Sequence, residues 1–171
     1  MELAYRKAIK EDVNLLIVIY NASFYNDFIG YCPGYGKTKE EMEASIEDSI
    51  KYIVIYGTIP VGIISVSEKT KGYYHLGCLC VIPKYQGMGI DTQLFRYILS
   101  VLPDWKQITL ITPVDKEQII KFYTRRCGFR LGNKVKVENV EVVNFYMKRD
   151  IPVYLEEKQK FEKEIFDEKF R

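Results

Sequence analysis

The 171-residue chain predicts a single α/β domain of the α+β kind, a mixed and mostly antiparallel central sheet flanked by helices. Two observations carry this. Runs rich in β-branched and aromatic residues between Tyr52 and Ile82 are broken only by short Gly and Pro turns, as in a meander. A Gly-rich turn before Ile90 then leads into helical spacing and a short buried strand, a βαβ-like unit. Length agrees, since a chain of this size builds one substantial core and is short for two.

The elements follow in order. Glu2 to Ala8 alternates as a first strand, and Val13, Leu16, Ile17 and Tyr20 fall at helical spacing over Asp12 to Asn21. Gly and Pro residues from Gly30 to Gly36 mark a loop. Thr38 with Glu41 three residues later forms a capping box, opening a second helix that runs to about Ser49. Tyr52 to Tyr56 and Val61 to Ser67 read as a hairpin over Gly57 to Pro60, and Lys71-Gly72 turns into a third strand, Tyr73 to Ile82. Ile90, Leu94, Tyr97, Ile98 and Val101 place a helix over Ile90 to Val101, and Gln107 to Thr112 is a buried strand. Asp115 with Gln118 reads as another cap, Ile119, Ile120 and Tyr123 give the helix a buried face, and Gly128 ends it. Two strands, Phe129 to Val137 and Val140 to Lys148, complete the sheet.

The domain is therefore expected to occupy residues 1–150. Beyond Pro152 the chain carries six acids and five bases interrupted by Leu155, Phe161, Ile165, Phe166 and Phe170. That pattern predicts an amphipathic C-terminal helix over 151–171. Its apolar stripe would be covered by the domain or by a second subunit, so a homodimer is one expected partner.

Composition narrows the function. Apolar residues are 47% and charged residues 28%, with a net charge of only +2 and no lysine- and arginine-rich run interleaved with aromatics, so nucleic acid is not an expected partner. The apolar runs fall short of the roughly 20 residues of a bilayer span, and the first residues lack the apolar stretch of a secretory signal, so no membrane partner and a cytoplasmic location are expected. Cys32, Cys78, Cys80 and Cys127 form no CxxC pair, and with His75 as the lone histidine no metal site is expected. Gly34 to Thr38 has the end of a phosphate-loop pattern, but Tyr31 stands where that pattern needs its first glycine.

The informative stretch is Cys80-Val81-Ile82-Pro83-Lys84-Tyr85-Gln86-Gly87-Met88-Gly89-Ile90, between a strong strand and a strong helix. Glycines let backbone amides approach a ligand closely, and a helix N-terminus adds donors and partial positive charge suited to a pyrophosphate. A Gly-x-Gly alone also fits a plain strand-to-helix turn. Here, however, the chain resembles the GNAT acetyltransferase superfamily, whose coenzyme A loop follows a V-x-P strand end and reads Gln or Arg, then x-x-Gly-x-Gly or Ala. Val81, Pro83, Gln86 and Gly89 match. A reading two residues earlier restores both glycines with Lys84 in the Gln or Arg position. Phe122-Tyr123 followed by Gly128-Phe129 resembles the family's FY-x-x-x-x-GF helix end, and Arg6-Lys7-Ala8 with Glu11-Asp12 resembles its frequent opening. Asp91 replaces the expected small residue of the loop, and Lys116 stands where an asparagine is frequent.

The resemblance implies transfer of acetyl from acetyl-coenzyme A to a primary amine of a small molecule or peptide, by direct attack in a ternary complex. It implies backbone contacts to the donor from Leu79, which would polarise the thioester carbonyl, and from Val81, which would pair with the pantetheine arm. Gln86, Gly87, Met88, Gly89, Ile90, Asp91 and Thr92 would surround the pyrophosphate, and Lys116 would lie nearby. Tyr123 matches the tyrosine that protonates the leaving thiolate, a role open to a phenol of pKa about 10. His75 stands where related transferases hold a general base, and an imidazole of pKa about 6.5 suits that work. Packing alone would also explain both residues, and Glu68 or a water is an alternative base. The segment Phe24 to Thr38 is expected to lie over the acceptor. An alternative is a GNAT-like module that binds coenzyme A without transferring anything.

Overall fold

The computed structural model describes residues 2–25 and 34–150. Its strands are β1 Leu3–Lys7, β2 Ile50–Tyr56, β3 Ile59–Thr70, β4 Tyr73–Val81, β5 Gln107–Pro113, β6 Arg130–Val137 and β7 Val140–Lys148. Its α-helices are α1 Val13–Phe24, α2 Lys39–Asp48, α3 Ile90–Val101 and α4 Glu117–Lys121. One sheet runs in the order β1-β2-β3-β4-β5-β7-β6. Every neighbouring pair is antiparallel except β4 and β5, which are parallel. The mixed, mostly antiparallel sheet is the expected one.

Two cores lie on the two faces. Leu16, Ile19 and Tyr20 of α1 and Met42 of α2 pack on Ile53, Ile63, Cys78 and Cys80. On the other face Ile90, Leu94, Phe95 and Ile98 of α3 pack on Val54, Ile64, Leu76 and Val81, with Tyr123, Phe129 and Phe145 continuing that core. The helical spacing read in α1 and α3 is this burial of one stripe. By contrast, α4 itself buries no residue and Ile119 is exposed, so of the buried face expected there only Tyr123, in the following turn, is buried.

Two details of β4 shape everything that follows. Its parallel pairing with β5 stops after three residues, Tyr73, His75 and the Tyr74 between them, opposite Gln107 to Thr109. Beyond that point the strands part. The register against β3 also jumps, with Ser65 opposite Cys78 and Val66 opposite Leu76, so Gly77 is an extra residue in β4. Leu76 thus faces the α3 core and Cys78 the α1 core, where strict alternation would put both on one face.

Some local expectations needed correction. The hairpin before β3 turns on two residues, Gly57 and Thr58, and Ile59-Pro60 already belong to the strand; a register shift between Val54 and Ile55 accommodates the proline. The expected cap at Asp115 is not formed. Lys116 N–H bonds back to the Pro113 carbonyl at 3.2 Å, which leaves Asp115 inside a turn and makes Lys116 the N-cap residue, without a side-chain cap bond. The Thr38–Glu41 capping box is present, with bonds of 2.8 and 3.2 Å. After α4 the chain widens into one π-turn, Phe122–Arg126, before Gly128. The tail over 151–171 and residues 26–33 of the loop expected above the acceptor lie outside the described residues.

Candidate active site

The parting of β4 and β5 opens a cleft of about 450 Å³ bordered by Leu76 to Val81 on one side and Ile111 to Pro113 on the other. Hydrogen-bond directions alternate along a strand. Ile82 N–H bonds to Val61 O at 2.8 Å, toward β3, and Cys80 shares that direction. Leu79 and Val81 therefore turn their backbone groups toward the cleft, where β5 no longer pairs with them. The Val81 carbonyl already accepts a 2.8 Å bond from Gln86 Nε2, which ties the following loop to the strand end.

That loop closes the cleft at the start of α3. Gly87 and Gly89 have φ of +76° and +77°, and an added Cβ at either meets nothing within 4 Å. The left-handed backbone, not crowding, requires glycine here. Gln86, Gly87 and Asp91 line the cleft, Met88 is exposed, and the Ile90 side chain is core while its amide belongs to the first turn of α3. Asp91 Oδ1 accepts from the Thr92 N–H at 2.7 Å, placing a carboxylate at the positive end of the helix. Lys116 borders α4 and is not among the cleft residues; Gln118 and Ile119 line that wall instead.

Tyr123 enters the cleft from the π-turn, a deviation that re-aims a side chain within a helix. Its ring is clasped by Phe122, Phe129 and Phe145 at centroid distances of 5.1, 5.6 and 5.9 Å. Burial, then nearby thiols and the Asp91 carboxylate, hold its phenol well above the ordinary value, so it keeps its proton. Burial and Asp91 likewise push the Cys127 thiol up to about 12.

His75 lines the other end of the cleft, and its Nδ1 lies 3.1 Å from Thr109 Oγ1 across the last parallel pair. Burial, then Lys69, lowers its pKa, so the ring is neutral at neutral pH. Glu68, the alternative base, instead accepts the Gly72 N–H at 3.0 Å in the β3–β4 turn. Because of the extra residue at Gly77, His75 shares a face with Cys78 and not with the side chain of Val81.

With this geometry in view, the comparisons with known proteins are decisive for the family. Residues 15–129, more than half of the chain, match the profile of the Acetyltransferase (GNAT) family. The chain belongs to the GNAT acetyltransferases. No curated protein matches it significantly. Among solved structures, a GNAT-family acetyltransferase from Streptococcus pneumoniae is 18% identical with a TM-score of 0.69, covering 87% of this chain and 100% of that one. Aminoglycoside acetyltransferase AAC(6')-Ib in complex with coenzyme A is 19% identical with a TM-score of 0.67, covering 86% and 95%. The spermidine/spermine N-acetyltransferase SpeG from Vibrio cholerae is 14% identical with a TM-score of 0.65, again covering 86% and 95%. These likenesses extend the GNAT fold over nearly all described residues.

On the α1 and α2 side, the GNAT domain holds a group that the sequence reading passed over. A second cavity of about 410 Å³ meets the cleft at Gly77 and Cys78, which line both. Its floor is Lys51, only 4% exposed, with Nζ bonded to Ser65 Oγ at 2.8 Å and to Ser49 Oγ at 2.9 Å. The signal was present, because Lys51 is in phase with Ile53, and Ser65 with Ile63, on the inward face of their strands. Among the described residues no helix is long and apolar enough to cross a membrane, and no three His, Cys, Asp or Glu side chains gather as a metal site.

Proposed function

We propose that this GNAT domain transfers the acetyl group of acetyl-coenzyme A to a primary amine. The observation that carries the reading is the unpaired β4 edge, with Leu79 and Val81 facing a cleft closed by the Gly87–Gly89 turn. The amide of Leu79 would polarise the thioester carbonyl, and that of Val81 would pair with the pantetheine arm like an added strand. Amides of Gly87 to Thr92 at the head of α3 suit the pyrophosphate.

An amine attacks the carbonyl only when neutral. His75, neutral itself, would receive the proton directly or through a water, with Thr109 fixing its ring. Collapse of the adduct expels the thiolate, and Tyr123 would protonate it. Relatives of this fold named for aminoglycoside and spermidine/spermine acetylation act on amines, which supports an amine acceptor here. We place the reaction in the cytoplasm, where the thiols of Cys78, Cys80 and Cys127 would stay reduced.

The test is incubation with acetyl-coenzyme A and a panel of primary amines and peptides, following free thiol and the mass gain of one acetyl group. Amine-dependent thiol release with a matching acetylated product is expected. Coenzyme A binding without thiol release for any acceptor would favour a binding module instead.

A further inference from the structure

Lys51 carries a demand that the described residues do not meet. An ammonium has three N–H donors. Two are taken by the hydroxyls of Ser49 and Ser65, themselves linked at 3.3 Å, with Ser49 Oγ bonded onward to Ser45 O at 2.6 Å. Among the described residues no carboxylate comes within 4 Å of Nζ, and the third donor has no acceptor. Tyr20 closes the site from α1, its hydroxyl in contact with Ser65. Buried ammonium groups are ordinarily paired, because desolvation without a counter-charge is costly. Here burial draws the pKa of Lys51 down to about 8.

The position of the group matters as much as its burial. Lys51, Ser65 and Cys78 are register partners across β2, β3 and β4, a row leading from the ammonium to the cleft edge about 10 Å away at ordinary strand spacing. Ser67, His75 and Thr109 form the next row on the same face. A molecule spanning the cavity and the adjoining cleft would thus lie between Lys51 and His75.

We propose that Lys51 is the counter-ion for a carboxylate on the acceptor, so that the acetylated amine belongs to an amino acid or a similar amino-carboxylate. This rests on the transferase reading for the word acceptor, while the anion site rests on Lys51 alone. A monoanion fits the site better than a phosphate, because Glu41 and Asp48 of α2 line the same cavity opposite a single buried cation, with Lys37 beside them.

The test measures binding first, so it needs no turnover. With coenzyme A present, calorimetry is run on free amino acids, on their amides and on matched aminoalkyl phosphates, for the parent and for Lys51→Met. The parent should bind at least one amino acid tenfold or more tighter than its amide, and Lys51→Met should bring that ratio close to one. Ser65→Ala, which keeps the ammonium, should keep most of the preference and serves as the control if Lys51→Met unfolds. No carboxylate preference in the parent, a preference that survives in folded Lys51→Met, or tighter binding of the phosphates would overturn the proposal. Thiol release from acetyl-coenzyme A in the same samples separates the two readings. Carboxylate preference without thiol release removes the transferase reading alone, and release that favours amides removes the role of Lys51 alone.

Discussion

On the α3 and α4 side of β4, Tyr123 stands in a wall of aromatic rings, its hydroxyl the polar exception; on the α1 and α2 side, across the same sheet, Lys51 stands among hydroxyls with His75 beyond. A single extra residue at Gly77 allows one strand to serve both. On the proposed reaction, the difference teaches that the donor and acceptor ends of the cleft would rest on different physics. A departing thiolate needs a donor that still carries its proton at the working pH, whereas an amine must be freed of its proton and oriented by polar groups.

The largest expected effect tests the aromatic side. Tyr123→Phe keeps the ring and its contacts, so kcat should fall by about 10²- to 10⁴-fold while the melting temperature and acetyl-coenzyme A affinity stay put. Parental kcat, measured where chemistry limits turnover, would reduce Tyr123 to a packing residue. On the polar side, His75→Ala should lower kcat/KM by about 10²-fold without weakening acetyl-coenzyme A binding. Since burial depresses the His75 pKa, the parent should stay active to below pH about 6.5, and that acidic limb should vanish from the variant. An unchanged pH profile would break the contrast between the faces.

Lys51 sharpens it. Its pKa falls from 10.5 unfolded to about 8 folded, so between these values the unfolded chain binds more protons and stability rises with pH. Chemical denaturation of the parent should gain up to about 3 kcal/mol across that window, relative to Lys51→Met. Parallel curves for the two proteins would mean that the ammonium is well paired.

Arg6 and Asp12 show what a paired charge does on the same side of the sheet. Both terminal guanidinium nitrogens of Arg6 donate to Asp12 at 2.7 Å, and Ile9 N–H adds a bond at 2.9 Å. The Arg6 bond, foremost, holds the Asp12 pKa below its ordinary value. Stability from this group is present above pH about 4 and is lost as pH falls through the folded pKa. Asp12→Asn should cost about 1 to 2 kcal/mol at pH 7, discounted because Arg6 is partly exposed, and little at pH 2. A denaturation series at both pH values checks this.

The smallest expected effect is at Asp91. Its carboxylate faces the cleft near the expected pyrophosphate, and Asp91→Gly should tighten coenzyme A binding by about 1 kcal/mol or less in screened solvent. Calorimetric titration showing equal affinity would mean that Asp91 matters only to the head of α3.

Most of the sheet and helices were legible because burial imposes its period on each element; Leu94 and Ile98, or Ile53 and Ile63, could sit nowhere else. The Gly87-Met88-Gly89 turn and Tyr123 were legible through motif resemblance. What escaped depends on partners distant in sequence. Nothing near Gly77 signals an extra strand residue, since that is defined only against Ser65 and Val66. The Lys116 cap arises from a turn closed on Pro113. Lys51 fell between the helix ending near Ser49 and the strand read from Tyr52, and its register with Ser65 and the cover of Tyr20 bury it.

The short parallel contact between β4 and β5 has a consequence for how the domain assembles. Strands β2 to β4 join by tight turns and can zip locally, as can β6 and β7, but β4 meets β5 only after the chain has crossed through α3. Contacts of that kind close late and slowly, because loop entropy is lost before pairing returns anything. The seam that holds the cleft is thus a long-range joint and the thinnest in the sheet. The same joint borders the cleft, so a mutation that loosens it is expected to disturb both the folding of the sheet and the shape of the cleft.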